Sequence, residues 1–160
     1  MVDKNQAVID FLNTCPSILA HPLFFNFLNA KDNNKQLITQ TNDVSLNKPF
    51  VDGSTLKRYS ITLIDFRSVA YEAIPKVEGY ASENVEEMFD VQGFIDWIRE
   101  QADAHNYPNF GPDCIVEDMI TTSDNPSLNG VDTSVTPALA KYSITIQIDY
   151  LDTSKVIWDD

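Results

Sequence analysis

The sequence lacks the residue patterns on which most small enzymes depend. It has only five glycines, and none of them forms a phosphate-binding loop, a Walker pattern or a Rossmann fingerprint. Its two histidines, His21 and His105, have no second ligand at the spacing that zinc requires. The acidic pairs Glu86/Glu87 and Glu117/Asp118 could serve acid–base chemistry or bind calcium, but chance adjacency among 24 acidic residues explains them. We therefore predict no catalytic residue, no metal and no cofactor.

Cations are also scarce. Eleven lysines and arginines stand against 24 aspartates and glutamates, which gives a net charge of -13 and a pI near 4.3. Because binding to nucleic acid requires cations that neutralise phosphate, this balance argues against a protein that grips DNA or RNA. It does not exclude an acidic wall past which DNA slides.

Cysteines and long apolar runs are few as well. Cys15 and Cys114 are the only cysteines, and two thiols in a chain with no secretory signal are typically reduced. Cys114 would be a nucleophile only with a histidine nearby in space, and a buried thiol is the more ordinary interpretation. No run is long enough to cross a bilayer. We expect a protein that stays in a cytoplasm, or in something assembled there, and that does not contact a membrane.

What the chain does contain is a strongly alternating strand at residues 141–151. Ile144, Ile146 and Ile148 point to one side, while Ser143 and Gln147 point to the other, as in a strand with one face in a core. Residues 90–105 supply the cover, because their apolar residues recur at three- and four-residue spacing along one helix face. With 160 residues and 43% hydrophobic content, the chain is predicted to be a single domain over 1–160. The expected fold class is α+β, a mostly antiparallel sheet with one main helix across it.

Further elements follow from local signals. A short N-terminal helix is predicted within residues 1–14, with Asp3 as its cap. Strands are predicted over 35–41, 56–69 and 114–122, with an Asp-Gly turn before the second. The third strand is predicted to alternate strictly, so that Ile115, Glu117 and Met119 share a face. In 56–69 the apolar parity changes between Leu63 and Ile64, which indicates either a bulge or a strand covered on both faces. The main helix has a second candidate start at Asn84.

Two connections complete the prediction. Residues 123–137 are rich in Ser, Asn, Asp, Pro and Gly and are predicted to be one long polar loop inside a hairpin, serving as a ligand lid, a disordered excursion or an arm to a neighbouring subunit. Residues 155–160 form a tail. The run Arg-Tyr-Ser-Ile-Thr at 58–62 nearly repeats as Lys-Tyr-Ser-Ile-Thr at 141–145, which indicates two strands in similar environments.

Several of these pieces, in this order, resemble the minor capsid and tail-terminator-like proteins of tailed phages and prophages of Gram-positive bacteria. They are the Phe-Val-Asp-Gly-Ser turn at 50–54 leading into the strand at 57–62, Ser-Glu-Asn-Val-Glu at 82–86, Phe-Ile-Asp-Trp-Ile-Arg-Glu-Gln at 94–101 followed by Tyr-Pro at 107–108, and Ala-Lys-Tyr-Ser-Ile-Thr-Ile-Gln at 140–147 with Tyr150. The resemblance covers residues 45 to 152. The chain departs from it at 123–137, where the family tends to carry a compact apolar turn.

The resemblance implies a non-enzymatic virion subunit that closes into a six-fold ring of identical copies at the head–tail junction. Its partners would be the tail tube protein and the head–tail connector proteins, DNA would pass through without specific binding, and the subunit would reside in the host cytoplasm during assembly. The alternatives are a monomeric protein-binding adaptor and an enzyme dependent on Cys114 or on the acidic pairs. The residues predicted at subunit interfaces lie in the long loop and on the polar side of the last strand, namely Asp124, Asn125, Leu128, Asn129, Val131, Ser143, Thr145 and Gln147.

Overall fold

The computed structural model describes residues 3–16, 23–25, 35–39, 47–69, 83–122, 127–132 and 138–156. Within them, helix α1 spans Lys4–Leu12 and helix α2 spans Glu83–Asp103. The strands are β1 (Leu23–Phe25), β2 (Lys35–Thr39), β3 (Asn47–Pro49), β4 (Thr55–Val69), β5 (Cys114–Thr121), β6 (Ser127–Asp132) and β7 (Ala138–Asp152). No helix among these residues is both long and apolar enough to cross a membrane.

Strands β4 and β7 form the centre of one sheet, in the order β1-β2-β4-β7-β5. They pair antiparallel over all 15 residues, from Thr55 opposite Asp152 to Val69 opposite Ala138. Strand β3 also pairs with β4, and β6 also pairs with β7. Every pairing is antiparallel except β1 with β2. The predicted α+β class with a mostly antiparallel sheet is confirmed.

One side of this sheet carries the main core, and we call it the helix-bearing face. Helix α2 places Phe94, Ile95 and Ile98 there with at most 1% of their surface exposed, and β4 and β7 supply Ile61 and Ile146. Helix α1 adds Val8, Phe11 and Leu12 to the same cluster. Each fully buried aliphatic or aromatic side chain contributes roughly 1.5–3 kcal/mol through removal from water. The predicted packing of the main helix is confirmed, and the helix begins at Glu83, one residue before the predicted start at Asn84 and seven before the alternative start at Asp90.

The parity change in β4 is explained by burial on both faces. Ile64 and Phe66 point away from Ile61 and Leu63, yet only 6% and 5% of their surface is exposed. The ladder between β4 and β7 has no break, so no bulge is needed. Of the two predicted explanations, the strand covered on both faces is the one that the structure supports.

Strand β5 contains a bulge that the predicted alternation missed. Val116 pairs with Tyr150 and Asp118 with Asp149, so Glu117 is an extra residue in the ladder. Met119 consequently pairs with Ile148 and is 2% exposed, in the core on the helix-bearing face. The prediction that Met119 shares a face with Ile115 and Glu117 is wrong, because one inserted residue reverses the side of every residue after it.

The prediction of a single long loop over 123–137 is also wrong. Residues Ser127–Asp132 form β6, which pairs with the first part of β7 along the same edge that β5 occupies further on. Thr122 extends the ladder between β5 and β7 by donating its backbone N–H to the carbonyl of Thr145 at 3.0 Å. The Asn, Gly and Asp of β6 have low intrinsic strand propensity, but Ser127, Leu128, Val131 and Asp132 pair with β7, and this tertiary contact outweighs propensity.

The near-repeats at 58–62 and 141–145 lie on the two central strands and meet at one point. Thr62 pairs directly with Thr145, and their hydroxyl oxygens are 3.0 Å apart. The two copies run away from that pair in opposite directions, because the strands are antiparallel. Their shared composition reflects two adjacent central strands, each with an apolar and a polar side.

Helix α1 begins as predicted, with the Asp3 carboxylate accepting the backbone N–H of Asn5 at 2.9 Å. The hydroxyl of Tyr59 on β4 donates to the amide oxygen of Asn5, and the Phe11 ring lies 5.2 Å from that of Trp97 on α2. These contacts join the short helix to both the sheet and the main helix. The Asp-Gly turn is also present, since the Phe50 N–H donates to the Ser54 carbonyl at 2.8 Å.

Candidate assembly surface

The side of the sheet opposite α2 is the candidate surface, and we call it the outward face. The ladders of β4, β7 and β5 place on it Leu56, Arg58, Thr62, Ser143, Thr145, Gln147, Asp149, Leu151, Ile115, Asp118 and Ile120. Its part around Ile64 and Phe66 is buried. The opposite end, where β4 begins and β7 ends, is open enough to form a groove.

The centre of the outward face is polar, and its polar groups bind each other. Arg58 donates to both carboxylate oxygens of Asp149 at 2.7 and 3.2 Å, and about a quarter of each side chain is exposed. Thr145 contacts Thr62, as noted above. Such cross-strand pairs stabilise the sheet. The predicted polar side of β7 is therefore present, but the hydroxyl of Thr145 already has a partner within the chain.

The exposed apolar residues lie at the margins of the sheet. Ile115 and Ile120 on β5 are 52% and 44% exposed, and Leu128 on β6 is 56% exposed. In the described part of the sheet, β5 and β6 are the last strands on their side. A strand edge with large apolar side chains is a template for pairing with another chain. We call β5 and β6 together the β5–β6 edge.

A second group of exposed apolar residues lies at the β3–β4 turn. Phe50 is 43% exposed, and Val51 projects fully into solvent. Gly53, with φ +94°, packs directly against the backbone of Lys155 and Val156, so the turn is held by the chain segment that follows β7. Sequence reasoning singled out this turn for its geometry and not for Phe50 and Val51, although two apolar residues beside an Asp-Gly turn were a usable signal.

The predicted interface residues do not form one surface. The register places Leu128 beside Tyr142 and Val131 beside Ala140, two residues of the helix-bearing face, with Asn129 in the irregular step between them. Ser143, Thr145 and Gln147 lie on the outward face. Asp124 and Asn125 are outside the described residues. Sequence reasoning missed Ile115 and Ile120, because β5 was not recognised as an edge.

The structure places three of the four cysteines and histidines considered for chemistry. Cys15 is buried, Cys114 is half-buried and both thiols are free. Burial raises the pKa of the Cys114 thiol, which lowers the fraction of reactive thiolate. His105 is exposed, with Nδ1 3.2 Å from the Tyr107 hydroxyl, and His21 is outside the described residues. Among the residues that the structure describes, no three His, Cys, Asp or Glu side chains are placed to hold a metal.

Two carboxylates near the open end are held in the charged form. Hydrogen bonds from the hydroxyl and backbone N–H of Ser54 lower the pKa of Asp52. Asp152 accepts from Lys57 at 2.8 Å and from Ser154, and these bonds hold its pKa well below the ordinary range. Both carboxylates therefore stay ionised at any pH near neutrality, and Lys57 neutralises the charge of Asp152.

Comparison with known proteins adds no assignment to this geometry. No protein-family model matches the chain, and a search of curated proteins gives no significant match.

Proposed function

We propose that this protein is a non-enzymatic structural subunit that closes into a ring of identical copies at the head–tail junction of a tailed phage. The observation that carries the proposal is the β5–β6 edge, where Ile115, Ile120 and Leu128 are each about half exposed. Large apolar side chains on an unpaired edge expose a protein to aggregation unless a partner covers them. The motif resemblance to phage tail-terminator-like proteins supplies the identity of the assembly.

A closed ring would cover the β5–β6 edge of every copy through head-to-tail contacts. The two margins of the described sheet differ in composition and strand order, so a contact between one margin and a different surface of the next copy is head-to-tail. Head-to-tail contacts end without a free edge only when the rotation closes. We propose six copies, in line with the resemblance. The tail tube protein and the connector proteins would contact the two rims of this ring.

The charge of the chain fits a passage for DNA. With a net charge of -13, a ring of several copies offers few cations to hold phosphate, and DNA in its lumen would meet repulsion and slide. The subunit would be made in the host cytoplasm and would end in the virion. No specific nucleic-acid contact belongs to this proposal.

The test is the native mass of the protein over a wide concentration range, with negative-stain images of the most concentrated sample. We expect a discrete closed oligomer with a central hole. The variant Ile120→Lys should shift the equilibrium toward monomer, because it places an ammonium group in the apolar contact. The control Glu100→Lys adds the same group at an exposed position on α2 and should leave the mass distribution unchanged.

A monomer that assembles neither alone nor with tail tube protein would contradict the ring. The second candidate function, a monomeric protein-binding adaptor, would then stand first. It is favoured by a separate feature, the groove at the open end of the outward face.

A further inference from the structure

A groove of about 510 Å³ lies where the β3–β4 turn, the start of β4, the end of β7 and the middle of β5 meet. Apolar side chains, carboxylates and Ser54 form its lining. The residues that matter are Phe50, Leu56 and Leu151 among the apolar ones and Asp52, Glu117 and Asp118 among the acidic ones. We call this site the acidic groove.

The bulge in β5 is what brings two adjacent carboxylates to the groove. In a regular strand, Glu117 and Asp118 would point to opposite sides of the sheet. Because Glu117 is the extra residue of the bulge, Asp118 pairs with Asp149 on the outward face while Met119 stays in the core. Both Glu117 and Asp118 are exposed and line the groove. Bulges commonly re-aim side chains at functional sites.

Three of the four carboxylates that line the groove have no ion pair among the described residues. Asp149 is neutralised by Arg58 at 2.7 Å, but Asp118, directly opposite it, has no ion pair in the part of the chain that the structure describes. The same holds for Glu117 and for Asp52. Asp52, Glu117 and Asp118 therefore give the groove negative charge that a cationic group of a partner can neutralise.

We propose that the acidic groove binds a segment of a different protein that presents a lysine or arginine next to an apolar side chain. The methylene stem of the basic residue would cover Leu56 and Leu151 while its charged group reaches Glu117 and Asp118. The neighbouring apolar side chain would pack on Phe50, whose ring is 43% exposed. Charge complementarity of this kind favours cationic partners and excludes anionic ones.

Charge also distinguishes a basic protein segment from the other occupants that the groove could hold. Nucleic acid is excluded, because the groove presents carboxylates to phosphate. A second copy of this chain has more than twice as many acidic as basic residues, so homotypic docking here would bring like charges together. The groove is complete within one subunit, so a monomer would bind the basic segment whether or not a ring forms.

The experiment uses the full-length protein and a fluorescein-labelled peptide, Gly-Ser-Lys-Leu-Arg-Leu-Lys-Ser-Gly, with fluorescence anisotropy as the readout. Two comparison peptides replace the basic residues by glutamate or the leucines by serine. We expect saturable binding of the basic peptide and no binding of the peptide in which glutamate replaces the basic residues. Loss of the leucines should weaken binding by about tenfold, because apolar burial on Leu56, Leu151 and Phe50 is removed.

The paired variants separate the groove from general charge attraction. Glu117→Gln with Asp118→Asn removes two charges at the groove and should weaken peptide binding by about tenfold. Asp96→Asn with Glu100→Gln removes two charges from exposed positions on α2 and should change the affinity by less than about twofold. Phe50→Ser removes the apolar wall from an exposed position and should weaken binding by about fivefold.

Three outcomes would overturn the inference. They are equal weakening by the two double variants, equal binding of the glutamate peptide, and no saturable binding by a folded wild type. If Glu117→Gln with Asp118→Asn instead abolishes self-association, the occupant is a second copy and the assignment to a different protein is wrong. Native mass is measured on the same samples. If the wild type binds the peptide but remains a monomer, the proposed ring is wrong and the acidic groove still stands.

Discussion

A Gly→Ala substitution in the turn between β3 and β4 should lower the stability of the protein, whereas the same substitution inside a helix should raise it. Replacing Gly53 by alanine adds one methyl group where φ is +94° and where that methyl would overlap the carbonyl oxygen of Lys155. It would also lie 3.1 Å from the Lys155 carbonyl carbon and 3.3 Å from the Cα of Val156. All three contacts are with backbone, so no flexible side chain can move aside.

The magnitude follows from two costs. A left-handed conformation costs a residue with a Cβ roughly 1–2 kcal/mol, and forcing a methyl group into packed backbone costs about 1–3 kcal/mol. Gly53→Ala should therefore lower the free energy of unfolding by about 2–5 kcal/mol. In a chain of this size that corresponds to a fall in Tm of about 4–20 °C.

Gly93→Ala is the matched control. Gly93 lies inside helix α2, is exposed, and an added methyl group would meet nothing within 4 Å. Because alanine has higher helix propensity, this variant should be more stable by about 0.5–1 kcal/mol. Both variants are measured by urea unfolding followed by circular dichroism. A Gly53→Ala protein as stable as the wild type, or one no less stable than Gly93→Ala, would refute the packing of the turn against residues 155 and 156.

Two further predictions concern a tyrosine and the bulge. Burial, together with the negative charge of Asp3, raises the pKa of Tyr59 to about 12 from 10.0; the stability that depends on the neutral phenol is complete below pH 10 and is lost as the pH rises toward 12. Absorbance at 295 nm should show a tyrosine that titrates near pH 12 and that Tyr59→Phe removes, and a wild type without it would contradict the burial. Deleting Glu117 should change the free energy of unfolding by less than about 1 kcal/mol, because Val116 and Met119 keep their sides, whereas deleting Gln147 from β7 should prevent folding; equal effects in denaturant titrations would contradict the register.

Much of the fold could be predicted because the central strands and the main helix have unambiguous periodicity. Ile144, Ile146 and Ile148 alternate without interruption, and the structure buries all three. The errors fall where periodicity is weak or shifted. Strand β6 contains Asn129 and Gly130, which indicate a turn locally, and the pairing of the residues on either side of them with β7 makes them part of a strand.

The candidate surface was harder to predict than the core. Whether Ile115 and Ile120 are core or surface depends on which strand ends the sheet, and strand order is set by long-range pairing that leaves no local signature. The polar residues Ser143, Thr145 and Gln147 were identified correctly as a polar side, yet the structure shows that Thr145 is already paired with Thr62. A polar strand side is thus compatible with internal pairing as well as with an interface.

Strand β5 connects the two proposals, because its bulge separates two kinds of surface on a single edge. Before and after the bulge, Ile115 and Ile120 present apolar groups on the outward face, while the bulge itself presents Glu117 and Asp118. The bulge interrupts the ladder between β5 and β7, and the acidic groove lies between β5, the end of β7 and the β3–β4 turn. A copy of the same chain that pairs with the side of β5 away from β7 would therefore leave the acidic groove open to a basic segment of a different protein.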